Sequence, residues 1–236
     1  MQRNPMNLIA VLFLSASTYW GCSAASSNYT TILADSSRPE AERVLDATRK
    51  PDAVLQFLSV KAGDKVADLL AGRGYYTAIL AQVVGPNGVV YSHNTRDRDE
   101  WQERFKQVKN VRLVVSPVDR LDLPQDGSLD FVLTHLNYHD LAPEARVQMS
   151  RRVFAALKSG GVFGVVDHSA KDGTGNAEVK TLHRIDKLLV IKEVTGVGFK
   201  LAREGTMLGR PDDPRDFNVN KIRNKDDRFV LGFEKP

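Results

Sequence analysis

The sequence predicts an open α/β fold, strands alternating with helices around one sheet, and three observations carry the prediction. Branched apolar runs at residues 66–70, 89–92, 111–115, 129–134 and 162–166 have the length and composition of buried strands. The first run passes through two glycines, Gly72 and Gly74, directly into a helical pattern at residues 77–84. The 236 residues, 42% of them hydrophobic, suffice for one domain with a sizeable core.

The first 25 residues stand outside that domain. Arg3, the apolar run at residues 8–14 and the small residues around Cys22-Ser23-Ala24-Ala25 have the layout of a signal peptide, with cleavage after Ala24 or Ala25. The run is too short for a comfortable membrane span. Gly21-Cys22 also matches the site where a bacterial lipoprotein is lipidated, although Tyr19 and Trp20 are bulkier than that signal prefers; a retained hydrophobic anchor is the third alternative. The expectation is therefore an exported protein, periplasmic or envelope-associated. With Cys22 the only cysteine, the mature chain can hold no internal disulfide. A net charge of +4, from 33 basic and 29 acidic residues scattered along the chain, indicates no nucleic-acid surface.

Residues 26–37 are polar and rich in Ser and Thr, and read as a linker to a domain at 38–236. Helical patterns at 39–48 and 51–58, each with proline near its first turn, form an expected lid beside the first strand. The glycine turn after that strand brings backbone close to a ligand and aims the free N–H groups of a helix start at it; alone, it could equally be a tight turn with close helix packing. The second strand ends at His93-Asn94. Trp101 and Phe105 share one face of a helix at 96–108, more in keeping with core than with base stacking. The third strand leads to Asp119, in a sequence that also suits an Asx-type turn. The fourth opens into His135-Leu136-Asn137-Tyr138-His139-Asp140-Leu141 and the fifth into Asp167-His168. A helix at 177–195 is expected to carry His183-Arg184-Ile185-Asp186, a sixth strand to start at Gly198, and the alternating residues 228–234 to make a seventh. Between these last two strands, residues 209–215 read as a surface connection or a substrate gate. No internal repeat is visible.

The order and spacing of these stretches, from Val54 to Asp167, resemble the class I S-adenosylmethionine-dependent methyltransferases. Arg49-Lys50-Pro51, the turn ending Gly74-Tyr75-Tyr76-Thr77, Tyr138-His139-Asp140, Asp167-His168 and Leu182 through Asp186 resemble a group of predicted bacterial methyltransferases with export signals. The resemblance implies a doubly wound, Rossmann-like sheet of seven mostly parallel strands, the last antiparallel, with helices on both faces. It implies S-adenosylmethionine as cofactor, held by Asp68, Gly72, Gly74, Asn94, Asp119 and His135. Asn94 stands where the family has an acidic residue for the ribose hydroxyls, Asp119 where a carboxylate meets the adenine amino group, and Leu70 where the motif has glycine.

The stretch from His135 to Leu141 falls where the family places its acceptor. Methyl transfer to oxygen, nitrogen or sulfur needs an electron pair on the acceptor, so a base near neutral pKa is useful. His139, oriented by Asp140, is the first candidate base and His168 the second, since four of the five histidines would face one cleft by this topology. A metal bound by His135, His139, His168 and Asp167 is the rival, but no spacing assigns one. The expected function is methylation of a small molecule. An exported enzyme would have to obtain a cofactor made in the cytoplasm, so an exported noncatalytic binding protein with a nucleoside-type pocket and a metal-dependent enzyme remain the alternatives.

Overall fold

A computed structural model describes residues 29–236. Five parallel strands, β1 (Lys65–Leu69), β2 (Val89–Asn94), β3 (Val111–Val115), β4 (Leu129–His135) and β5 (Leu157–His168), are followed by β6 (Lys200–Gly205) and β7 (Arg228–Glu234). β7 inserts antiparallel between β5 and β6, and the sheet order is β3-β2-β1-β4-β5-β7-β6. β1 therefore pairs with both β2 and β4, and the chain winds outward in opposite directions from it. This switch point opens a crevice at the strands' carboxyl ends. The expected signal peptide, with Cys22, lies outside the described residues.

β1 alternates because both sheet faces are covered. Val66 packs in a cluster with Leu55, Leu80 and Trp101, while Ala67 and Leu69 join Met149, Val153, Ile185 and Val190 on the other face. The helices over the first face include α1 (Tyr29–Ala34), α3 (Pro51–Phe57), α4 (Tyr75–Val84) and α5 (Asp99–Phe105); α6 (Pro143–Ala156) and α8 (Lys187–Thr195) supply the second. No helix of the described residues is long and apolar enough to cross a membrane.

The structure departs from the sequence reading in four elements. Tyr29–Ala34, placed in a polar linker, is helical because Tyr29 is buried in the first core cluster and Ile32 and Leu33 pack against it. α6 has no clear sequence signature because its buried face includes Arg146, whose guanidinium pairs with both carboxylate oxygens of Glu193 in α8. The single helix expected at 177–195 is broken. A short α7 (Val179–Leu182) ends at His183 in the left-handed region (φ 52°), and Ile185 then bridges to Ser169 before Asp186 caps α8 through the Leu188 N–H. Residues 209–215 are more than a surface connection, for Asp213 and Arg184 form an ion pair with both side chains fully buried.

The expected lid forms. α2 (Glu40–Arg49) meets α3 at Lys50 and is anchored by Asp46, whose carboxylate accepts two hydrogen bonds from the buried Arg38 (2.6 and 2.8 Å) and one from Tyr75 Oη (2.6 Å). Asp46→Ala would leave the Arg38 guanidinium buried without its counter-charge, at a cost of about 3 kcal/mol. Urea denaturation should show that loss as a lower midpoint.

Candidate active site

The crevice above β1 and β4 holds a cavity of about 590 Å³. Its floor is Asp68 through Arg73, one wall is α2 with Glu42, Leu45 and Arg49, and the far end is Tyr76, His135, Leu136 and Asn137. The glycine turn is left-handed where the sequence needs it to be. Gly72 has φ +62° and Gly74 +86°; a Cβ on Gly74 would lie 2.2 Å from Phe105 Cε2, whereas nothing comes within 4 Å of one on Gly72. Leu70 also adopts a left-handed conformation (φ 56°), the geometry that glycine supplies more cheaply, and so does Leu136 (φ 59°) at the end of β4. Two strained leucines thus line one cleft, a feature typical of functional sites.

Side chains from β2 hold the turn in that shape. Asn94 Oδ1 accepts from the Gly72 N–H (2.9 Å) and Asn94 Nδ2 donates to the Gly72 carbonyl (3.1 Å). His93 accepts from the Leu70 N–H on Nδ1 (3.4 Å) and donates from Nε2 to the Ser116 carbonyl (2.8 Å), a neutral tautomer whose pKa burial lowers further. The ribose role read for Asn94 is accordingly corrected: its amide is engaged by backbone, it is buried, and it does not line the cavity.

Asp68 does reach the cavity, but its first task is to start α4. Its Oδ2 accepts from Thr77 Oγ1 at 2.6 Å, and it also accepts the Thr77 backbone N–H. Burial raises its pKa from 3.8 to about 6 against those bonds. Asp119 is exposed on a single 3-10 turn (Val118–Arg120) and is not part of the cavity wall, so the structure does not bring it to the adenine role.

The histidines do not share one cleft. His135 lies under Tyr76, ring centroids 4.7 Å apart; its Nε2 and the Tyr76 hydroxyl are buried without a hydrogen-bond partner. Burial, with Arg49 and Arg228 nearby, holds His135 well below the ordinary histidine pKa, so the ring is neutral. The other three pack together, His168 and His183 edge-on to His139 at 5.4 and 5.7 Å. His139 Nδ1 is 2.7 Å from Asp167 Oδ1 and its Nε2 is 3.2 Å from Asp140 Oδ1. Burial would lower the His139 pKa, but Asp167 and Asp140 together hold it up at about 10. Both His139 ring nitrogens face carboxylates and neither His139 nor Asp140 lines the cavity, so the geometry does not present His139 there as the base with Asp140 as its partner. His168 Nδ1 pairs with Asp226 at 2.5 Å; burial alone would raise that carboxyl, yet His168 and Arg228 pull it well below the usual range.

Sequence reasoning missed Arg49 and Tyr76 as cavity residues, although both sit in stretches it singled out. The Arg49 guanidinium stacks 4.4 Å from the Tyr75 ring centroid and has no ion pair among the described residues. Glu42 holds Arg104 of α5 bidentately, and Arg104 donates to the Arg73 carbonyl, closing one side of the cavity between α2 and α5.

Comparisons with known proteins bear on this geometry. The protein-L-isoaspartate(D-aspartate) O-methyltransferase family matches residues 40–119. A demethylmenaquinone methyltransferase of Geobacillus stearothermophilus is 32% identical over 83 residues, 34% of this chain and 35% of that one. The ubiquinone/menaquinone biosynthesis C-methyltransferase UbiE of Pasteurella multocida is 30% identical over 115 residues, 47% of this chain and 42% of its own. The chain thus spans less than half the length of the curated relatives it matches. Among solved structures, a SAM-dependent methyltransferase from Aquifex aeolicus has a TM-score of 0.62 at 18% identity, covering 87% of this chain and 97% of that one. The Burkholderia thailandensis 1,6-didemethyltoxoflavin-N1-methyltransferase, solved with 1,6-didemethyltoxoflavin and S-adenosylhomocysteine, scores 0.62 at 19% identity, covering 97% and 93%. The fold is therefore the Rossmann-like fold of these methyltransferases.

Two outcomes follow from the turn. Asn94→Asp replaces the donor to the Gly72 carbonyl with a carboxylate oxygen and should cost about 1–3 kcal/mol in urea denaturation. For Asp68 the folded pKa is raised, so the folded state holds the proton longer: the group's contribution is full below pH 3.8 and is lost as pH rises through about 6. Asp68→Asn should consequently gain stability relative to wild type across that window, on the order of 2 kcal/mol, with no further change above it.

Proposed function

We propose that the protein is an S-adenosylmethionine-dependent methyltransferase acting on a small molecule. The carrying observation is the cavity of about 590 Å³ over a left-handed glycine turn at the topological switch point of the sheet. Its size suits a ligand of this class. The residues fit as well. Gly72 leaves open space where a side chain would intrude, Arg49, stacked on Tyr75, has no ion pair among the described residues and suits the cofactor's carboxylate, and Tyr76 Oη and His135 Nε2 are buried polar atoms without a hydrogen-bond partner among those residues. With Asn94 engaged by Gly72 and Glu42 by Arg104, Asp68 and Glu100 are the carboxylates on the wall placed to accept from the ribose hydroxyls.

When bound, the cofactor supplies a methyl group on a positively charged sulfur. Tyr75 and Tyr76, which line the cavity, would offer such a charge aromatic faces. His135, neutral and unpartnered, is the imidazole available to hydrogen-bond an acceptor entering by Leu136 and Asn137. This aromatic end suits a flat ring, and the names of the matching relatives, which act on demethylmenaquinone and on 1,6-didemethyltoxoflavin, support such an acceptor. The N-terminal apolar segment supports an exported, envelope-associated enzyme, lipid-anchored at Cys22 if that residue is modified.

Calorimetry with S-adenosylmethionine and S-adenosylhomocysteine tests the reading. Wild type should bind both, and Arg49→Ala should weaken binding by roughly 10- to 100-fold, the worth of a hydrogen bond between charged groups. A wild-type protein that binds neither would sink the proposal.

A further inference from the structure

The second cluster of histidines has chemistry that the cofactor cleft leaves unused. We propose that His139 Nε2, Asp140 Oδ1 and His183 Nδ1 form a binding site for a divalent transition-metal ion, with Zn²⁺ as its occupant. This inference does not depend on the methyltransferase reading.

The donor geometry is that of a metal site. Asp140 Oδ1 lies 3.2 Å from His139 Nε2 and 3.6 Å from His183 Nδ1, and the three atoms are all within 4.8 Å of one another. Metal–ligand distances of about 2.1 Å in a tetrahedron place neighbouring ligand atoms about 3.4 Å apart, so two of the three edges already have the required length. The third lies within the 4.8 Å span of the cluster. Among the described residues this is the one group of three such side chains assembled in this way.

Asp167 supplies what an isolated cluster lacks. Fully buried, it takes His139 Nδ1 at 2.7 Å on one oxygen and the His139 backbone N–H at 2.8 Å on the other. That fixes both the ring's orientation and its tautomer, leaving Nε2 to face Asp140 and His183. A carboxylate on the far nitrogen of a ligating imidazole is the usual support of protein-bound zinc. His183 is held in place as well: its left-handed backbone ends α7 and turns its ring perpendicular to His139, at 89°.

Two imidazoles and one carboxylate suit zinc or a neighbouring first-row ion, and three protein ligands leave a coordination position open. Asp140 and His183 are partly exposed, so that position faces solvent.

The test uses the full chain, stripped with a chelator, dialysed and titrated with ZnCl₂, with bound metal counted by mass spectrometry. Wild type should bind one equivalent, and Co²⁺ in its place should give the visible absorption of a four-coordinate site. Asp140→Asn and His183→Ala, both at partly exposed positions, should keep the fold by circular dichroism. Each should lose at least about tenfold in Zn²⁺ affinity, the loss seen even when only a supporting residue of a ligand is changed. Substoichiometric binding by wild type would overturn the proposal, and so would an unchanged affinity in both variants, which would put any bound ion elsewhere.

Discussion

A buried chain of hydrogen bonds under the glycine turn is the constraint on which the site depends. Trp101 Nε1 donates to Ser92 Oγ (2.9 Å), Ser92 and Thr77 share a bond of 2.7 Å, and Thr77 Oγ1 donates to Asp68 (2.6 Å). Indole can only donate and the carboxylate accepts, so every proton in the chain points toward Asp68. The series joins α5, β2, α4 and β1 through side chains that are all buried. Unpaired, any of these groups would cost more than the bond itself contributes. It sets where α4 begins, hence where the glycine turn must end, and hence the floor of the cavity.

The turn pays for its shape with one leucine, Leu70, in a left-handed conformation and one carboxylate raised in pKa by burial. His93 and Asn94 offset part of that strain by hydrogen-bonding the peptide groups of Leu70 and Gly72. The lid is built on the opposite principle. Asp46 binds Arg38 and Tyr75, Glu42 binds Arg104, and these charged contacts hold α2 over the cavity while leaving Arg49 free to meet a ligand.

Beside this cleft stands a second polar assembly. Asp167 anchors His139 and, through the His168 N–H, the end of β5, while Asp226 joins His168 to Arg228. The carboxyl ends of β4 and β5 and the start of β7 are thereby tied by hydrogen-bonded polar side chains. The buried Arg184–Asp213 pair extends the same arrangement to the long connection before β7. Because each partner is desolvated, removing one strands the other, and the assembly behaves as a unit.

The strands and the glycine turn were legible in the sequence because each is a local pattern. A run such as Val66-Ala67-Asp68-Leu69 reports burial on both faces, and Gly72 and Gly74 report a backbone that a Cβ would disturb. The lid helices were legible from their prolines for the same reason. What the pattern could not carry was the partner of each polar side chain. Asn94 looked free for a ribose until the fold set it against Gly72, and His139 looked like a base until Asp167, 28 residues on, enclosed it with Asp140. His168 met Asp226 across 58 residues, and α6 hid because Arg146 was buried by a glutamate on another helix. Hydrophobic periodicity is a property of neighbours along the chain, so the sequence determined the sheet and its turn. The protonation and pairing of a buried polar group depend on which distant residue packing brings within hydrogen-bond reach, and that only the tertiary structure decided.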